Sequence, residues 1–392
     1  MRQADPIDDL YLDYAAATPV DSDVLAAMLP YFSEEFYNPS APYAHARRAK
    51  AALEDARATL AHLIGAKPAN ITLTAGATEA DNLAFAAVEG HVVTDAIEHE
   101  STLACAQARS STIVGVSPEG LVDPTAIAAA IRDDTELVSV ALANAEIGTV
   151  QPVHEIAQVV RGIRMQRLET GNPHPIWLHT DASQAASCLS VNVSSLGCDL
   201  MTLSAAKVYG PKQVGLLWAA DGVPLKPLVL GGGQENGVRS GTENVAGTVG
   251  FAKALGLAIE RRTQEARRLK GLRDELEGRI CAQIPSAVVS GPRKASLRLP
   301  GLLHVSFPGL EARRLVILLD RQGVSVGTGS ACAASKMKTS HVLQAIGLDP
   351  RAAQGSLRIS LGRPTTQRDI ERAASIICST VRSEADRLGI EI

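Results

Sequence analysis

No two of the six cysteines (Cys105, Cys188, Cys198, Cys281, Cys332, Cys378) form a C-x-x-C pair, and none of the nine histidines falls in an H-E-x-x-H string. The first absence disfavours a zinc site or a disulfide scaffold, and the second leaves a metalloprotease-type centre without support. No apolar run reaches the roughly 18 residues that a membrane span needs. The opening Met1-Arg-Gln-Ala-Asp-Pro has no signal-peptide pattern. Charge of one sign is also missing: 38 basic against 42 acidic side chains leave −4, with no broad cationic field to attract nucleic acid or anionic lipid. Repeats, low-complexity tracts and charge blocks are lacking too. These absences predict a cytosolic, cytoplasmic protein that binds no metal, nucleic acid or membrane and whose partners are small molecules or other proteins.

What is present is enough chain for a large core: 392 residues, 46% of them apolar, which by length suggests about two domains. Strand-like runs at 71–74, 91–94, 112–116, 136–142 and 176–180 are separated by helical patterns, which predicts βαβ units and a mostly parallel sheet covered on both faces. A charged amphipathic stretch from Asn244 to about Ile284 reads as one long helix, an interdomain spine. Beyond it, strands near 303–307, 323–326 and 357–361 alternate with helices at 311–321 and 367–388, the pattern of a smaller α+β domain. The expected division is a large α/β domain over 16–260 and a small domain formed by 1–15 and 261–392.

Five places carry chemistry. Leu200-Met-Thr-Leu-Ser-Ala-Ala-Lys207 is an apolar strand running into a lysine, stopped by Gly210-Pro211. Burial there lowers the amine's pKa toward a reactive free base suited to a Schiff base, although a solvated strand-end lysine reads equally well from this stretch alone. The turn Thr74-Ala-Gly-Ala-Thr-Glu lies between strand and helix, where free N–H groups, the helix dipole and the Thr78 hydroxyl suit a phosphate. An ordinary βα loop capped by Thr78 is the plainer reading. Asp181 follows an apolar strand at the sheet's carboxyl edge, placed either to cap a helix or to pair with a protonated pyridine nitrogen. His99 follows another strand at the same edge, where a flat imidazole can lie against an aromatic ring. Cys332 sits in the small-residue loop Gly327-Thr-Gly-Ser-Ala-Cys with Lys336 and Lys338 nearby, a setting for a nucleophilic thiolate. A glycine-rich stretch from Gly231 to Asn244 suits close approach to a ligand or a second subunit, or a plain surface loop.

Thr-x-Gly-Ala-Thr-Glu, His99, Asp181-x-x-Gln184, Lys207-Val-Tyr-Gly-Pro-Lys, Arg239-Ser-Gly-Thr242 and Gly-Ser-Ala-Cys332 occur in this order. With them the chain resembles the cysteine desulfurases of the NifS/IscS kind, within the class V aminotransferase family of pyridoxal-phosphate enzymes of fold type I. The likeness runs from Tyr11 to about Arg363. It implies pyridoxal 5′-phosphate as cofactor, Lys207 as its Schiff-base lysine, Asp181 on the pyridine nitrogen and His99 as ring-stacking residue and proton carrier. It implies Gln184 on the phenolic oxygen, and Ala77, Thr78 and Ser204 on the phosphate, joined by Thr242 from the second subunit of a homodimer. Asn38 and Arg358 would hold the carboxylate of the substrate, L-cysteine. The implied reaction gives L-alanine and a persulfide on Cys332, passed to an acceptor protein such as an iron–sulfur scaffold or a tRNA-thiolation relay.

Two positions depart from that pattern. Ala206 stands where relatives have a phosphate-contacting histidine, and Ala145 where they have an asparagine near the phenolic oxygen, so weaker cofactor retention or compensation by neighbours is expected. The chain also ends soon after its last helix, at Ile392, which implies an acceptor different from that of relatives with a C-terminal docking extension. Alternative readings are another pyridoxal-phosphate activity on the same fold, such as selenocysteine cleavage or transamination, and a catalytically dead scaffold. Ser204-Ala-Ala-Lys207 also matches the S-x-x-K of serine acyl transferases, without the Ser-Asp-Asn and Lys-Thr-Gly strings of that class.

Overall fold

The computed structural model describes residues 9–328 and 340–392; Cys332, Lys336 and Lys338 lie outside the described residues. The strands are β1 Leu10–Tyr11, β2 Ile71–Thr74, β3 His91–Asp95, β4 Ser111–Val114, β5 Thr135–Ser139, β6 Trp177–Asp181, β7 Leu200–Ser204, β8 Gly215–Ala219, β9 Val288–Ser290, β10 Leu302–Ser306, β11 Val324–Ser325 and β12 Ser356–Ser360. Seven of them form one sheet in the order β2-β8-β7-β6-β5-β3-β4. Pairing is parallel from β7 to β4, while β8 runs antiparallel to both its neighbours. β3, β7 and β8 are buried along their whole length. Strands covered on both faces read as continuous apolar runs, as these do.

Helices cover the sheet because each presents an apolar stripe to it. The helix Ala44–Ile64 buries Leu53, Leu60 and Ile64 and ends on Gly65 at φ 74°, the left-handed C-cap that glycine adopts without a Cβ penalty. The helix Val245–Gln283 runs for 39 residues, its first turn capped by the Asn244 side chain. It belongs to two cores: Phe251 and Leu255 pack with the sheet residues Met201 and Leu216, whereas Leu272, Leu276 and Ile280 pack with Leu303, Phe307 and Ile377. The second core lies over the antiparallel sheet β12-β10-β9 and the parallel pair β1-β11. Its last helix, Gln367–Leu388, starts on a reciprocal capping box of Thr366 and Asp369, an arrangement that satisfies two otherwise orphaned N–H groups.

The expected strands and helices recur here within a few residues of their sequence positions, with β1, β8 and β9 as additions. Lys207 does not end the strand itself. β7 stops at Ser204 and a single 3-10 turn, Ala205–Lys207, intervenes. Cys105, Cys198 and Cys378 are buried and Cys188 and Cys281 are half-buried.

Candidate active site

The loops that leave the carboxyl ends of β2, β3, β5, β6 and β7 open onto one cleft of about 780 Å³. In open α/β sheets this edge is where ligands bind. Lys207, His99, Asp181, Gln184, Ala77, Thr78, Ser204 and Arg358 all line it. Asn38 and Thr242 do not: both are exposed elsewhere on the surface, and the Asn38 side chain accepts from the Ser40 N–H at 2.9 Å.

One end of the cleft is built for an anion. The helix Ala77–Ala86 begins there, and its N-cap, Gly76, has φ 133° with nothing within 4 Å of where a Cβ would project. Glycine tolerates that φ, and its bare surface lets a ligand approach the first-turn N–H groups. The turn is held from below by β8, where a Cβ on Gly215 would come within 2.7 Å of the Gly76 backbone. The Ala75 N–H donates to Glu79 Oε2 at 2.6 Å, and Glu79 Oε1 accepts from Arg239 at 2.9 Å. The Gly231–Asn244 stretch is therefore no free loop: Glu235 also forks onto Arg57 with two contacts of 2.7 Å and accepts from the Leu73 N–H.

At the other end lies the amine. Lys207 Nζ donates to the carbonyl oxygens of Ala15 and Ala16 at 2.8 and 2.7 Å. Burial, helped by the nearby charge of Arg358, lowers its pKa from 10.5 to about 8, against the pull of Asp181 and Asp13. A reactive amine near neutral pH is the result. Gln184 Nε2 also donates to Ala15 O, at 2.9 Å, so its amide nitrogen is engaged with the N-terminal segment. Asp181, half-buried at the tip of β6, accepts from the Ser183 N–H at 2.8 Å.

His99 caps the helix Glu100–Gln107: its Nδ1 accepts from the Ser101 N–H at 3.1 Å. His99 lines the cleft and is exposed to it. Desolvation lowers its pKa, with the charge of Asp181 opposing. Arg358 is buried on β12, donates to Asp13 Oδ1 at 2.8 Å and to Ala145 O at 3.2 Å, and leaves Nε unpartnered among the described residues. Ser183 Oγ, also in the cleft wall, is likewise buried without a partner.

Several lining residues were not singled out from sequence. Glu98 is buried, accepts from the Ala141 N–H, and has its pKa pushed well up by burial and then by Asp95. Lys212 places a second lysine in the cleft and donates to Thr18 O at 2.7 Å; it had stood in view as the last residue of the Lys-Val-Tyr-Gly-Pro-Lys string. Glu98 had no such signal beyond its place one residue before His99. Ala145 and Ala206 both line the cleft. Asn144 cannot stand in for an asparagine at 145, because its Oδ1 accepts from the N–H groups of Glu146 and Ile147 and its Nδ2 donates to Ile97 O. Ser204 and Lys207 make no hydrogen bond to each other among the described residues, so the acyl-transferase pairing is not formed.

A phosphorylated pyridine aldehyde fits this set: an N-terminal helix turn and the Ser204 and Thr78 hydroxyls for its phosphate, a carboxylate for its ring nitrogen, an imidazole for its face and an amine of lowered pKa for its aldehyde. Arg358 with an unspent Nε adds a place for a carboxylate.

Comparison with known proteins points the same way. The family described as aminotransferase class-V matches residues 10–373. A curated relative, a cysteine desulfurase IscS from Dictyoglomus turgidum, is 39% identical, with 94% of this chain and 93% of that protein covered. A solved NifS-like protein superposes with a TM-score of 0.86 at 32% identity, covering 96% of this chain and 100% of that one. A structure of SspA in complex with cysteine gives 0.74 at 33% identity, over 90% of this chain and 98% of that one.

Proposed function

The chain belongs to the class-V aminotransferase family and is a cysteine desulfurase, and we propose that it takes sulfur from L-cysteine with pyridoxal 5′-phosphate held in the cleft around Lys207. The observation that carries this reading is the convergence of the low-pKa Lys207 amine, Asp181 and His99 on a cleft whose far end is the N-terminus of the helix Ala77–Ala86. The bound cofactor supplies an electron sink for the substrate's α-carbon.

The side chains divide the remaining work. Lys207 offers the amine that attaches the cofactor, and Asp181 keeps the ring nitrogen protonated. Ala77, Thr78 and Ser204 hold the phosphate. His99 lies against the ring and carries a proton at Nε2, the nitrogen left free once Nδ1 caps its helix. Gln184 faces the phenolic oxygen. Arg358 receives the substrate carboxylate. Cys332, as thiolate, takes the substrate sulfur as a persulfide and leaves L-alanine. The described residues on either side of its segment support delivery to the cleft. Gly327 exchanges backbone hydrogen bonds with Arg358 at 3.0 and 2.8 Å, and His341 and Val342 line the cavity.

A homodimer completes the site in this reading, with Thr242 reaching the partner's phosphate. Leu29, Phe32, Phe36, Tyr43 and Leu230 are exposed apolar side chains available to such a contact. We place the large, cofactor-holding domain at 16–260 and the small domain at 1–15 and 261–392, a division consistent with the change of core along the helix Val245–Gln283. The acceptor is a protein of iron–sulfur assembly or tRNA thiolation. The cytoplasm is the proposed compartment; no helix among the described residues is long and apolar enough to cross a membrane.

The test is alanine formation from L-cysteine by the purified protein. Wild type releases alanine, and Cys332→Ser loses the persulfide and the sulfide released from it by thiol. Sulfide release that survives Cys332→Ser would favour a lyase that does not use this thiol.

A further inference from the structure

Lys207 is held at both ends by the N-terminal segment. Its amine donates to the Ala15 and Ala16 carbonyls, and Thr18, just beyond them, reaches the backbone on either side of it. The Thr18 hydroxyl donates to Ala206 O at 2.9 Å and accepts from the Tyr209 N–H at 2.9 Å. A carbonyl only accepts and a backbone amide only donates, so both directions are fixed and the one hydroxyl proton lies on the Ala206 side. Thr18 itself is buried.

What this hydroxyl holds is an unusual turn. Between β7 and β8 the chain passes through Tyr209 at φ 65°, a left-handed backbone that is costly for a bulky residue and persists only where its surroundings over-determine it. Those surroundings are specific. The Asp21 N–H donates to Tyr209 O at 3.0 Å, the Arg363 N–H donates to Tyr209 Oη at 2.7 Å, and the Arg363 guanidinium lies 4.1 Å from the centre of the ring. Gly210 packs so closely that a Cβ there would lie 2.9 Å from Ala205 O and 3.1 Å from Ala254 Cβ. Within this set, the Thr18 hydroxyl joins the residue before Lys207 to the residue two after it, and so sets the direction in which the lysine side chain leaves the backbone.

We propose that Thr18 is a positioning residue for Lys207, its hydroxyl fixing the turn from Ala206 to Tyr209 so that the amine points at the aldehyde of the cofactor. This rests on the role given to Lys207 above. Attachment forms a C=N bond between Nζ and the aldehyde carbon with loss of water, and the amine must meet that carbon in the right geometry. A misplacement of about 1 Å can cost about 100-fold in such a step. A long side chain turns a small rotation of its backbone into a displacement of that size.

The experiment separates attachment from binding and uses the full-length protein freed of cofactor. The rise of Schiff-base absorbance after mixing with pyridoxal 5′-phosphate reads attachment. Equilibrium dialysis of pyridoxine 5′-phosphate, which has an alcohol in place of the aldehyde, reads the pocket without the bond to Lys207. Thr18→Val keeps the shape of the side chain and removes the hydroxyl, and Thr18→Ser keeps the hydroxyl. The expected results are attachment slowed about tenfold in Thr18→Val, pyridoxine 5′-phosphate affinity within about twofold of wild type, and attachment in Thr18→Ser within about twofold of wild type. Thr18→Ala, which also lacks the hydroxyl, is read in the same way should Thr18→Val fail to fold. Attachment at the wild-type rate in the folded hydroxyl-free variant would overturn the proposal, as would a Thr18→Ser as slow as that variant. An equal loss of pyridoxine 5′-phosphate affinity would overturn it too, since that is the mark of a hydroxyl that only supports the fold. A wild-type protein that forms no Schiff base would overturn the proposed function and this inference with it, whereas normal attachment in every variant would overturn the inference alone.

Discussion

Arg358 Nη2 donates to Asp13 Oδ1 across 2.8 Å, tying the buried middle of β12 to the segment that follows β1. The same N-terminal segment supplies the two carbonyls that hold Lys207, so the amine and the guanidinium are both positioned by residues 13–16.

Arg358→Lys replaces a planar fork with a point charge. The expected outcome is a KM for L-cysteine raised about tenfold with a smaller change in kcat, since a carboxylate contact made in ground and transition states alike is what is lost. Asp13→Asn lowers KM, because the substrate carboxylate no longer competes with Asp13 for the guanidinium. Steady-state alanine formation checks both.

Lys207 imposes a pH signature on the cofactor-free protein. Its folded pKa of about 8 lies below the ordinary 10.5, so between those values the unfolded chain binds more protons and stability rises with pH. Below about 8 the full burial penalty is present, about 3 kcal/mol for that gap. Lys207→Met is therefore more stable at pH 7 and lacks the rise between 8 and 10.5, as thermal unfolding of the cofactor-free proteins across that range will show.

Much of this was legible in the sequence, and the exceptions share a cause. The helices Val245–Gln283 and Gln367–Leu388 stood out because long periodic segments with caps carry their own signal. β8 was missed because it follows β7 without an intervening helix and reverses direction. Parallel alternation says nothing about such a strand, yet Gly215 on it supports the Gly76 turn. Glu98 and the carbonyls of Ala15 and Ala16 gave no local sign either. Their contacts join residues 43 to nearly 200 positions apart that meet in the fold. Asn38 and Thr242 were expected from the family resemblance, but a single chain does not bring them to the cleft.

Ala145 and Ala206 remove two side chains from the cofactor's surroundings, and Asn144 is already committed to backbone groups. Ala145→Asn and Ala206→His are each expected to tighten pyridoxal phosphate binding by about fivefold, the worth of one added hydrogen bond of about 1 kcal/mol. Equilibrium dialysis giving unchanged affinity for both would show that neighbours already compensate.

The pair of Arg57 and Glu235 pins the loop that carries Thr242, and both side chains are nearly buried. Burial of Arg57 works against its charge, but Glu235 and Glu54 raise its pKa overall. Glu235→Ala leaves a buried guanidinium short of its main partner and is expected to cost about 3 kcal/mol. Thermal denaturation reads the cost, and sedimentation reads the expected weakening of the proposed dimer as the loop loosens.

The most direct measurement is borohydride reduction of the holoenzyme followed by peptide mapping. Both Lys207 and Lys212 line the cleft, and Lys207 has its pKa lowered to about 8 with the charge of Asp181 nearby. The expected result is the cofactor fixed on the peptide bearing Lys207, and no fixation in Lys207→Ala. Fixation on Lys212 or on any other lysine in the wild-type protein would contradict the assignment of this cleft.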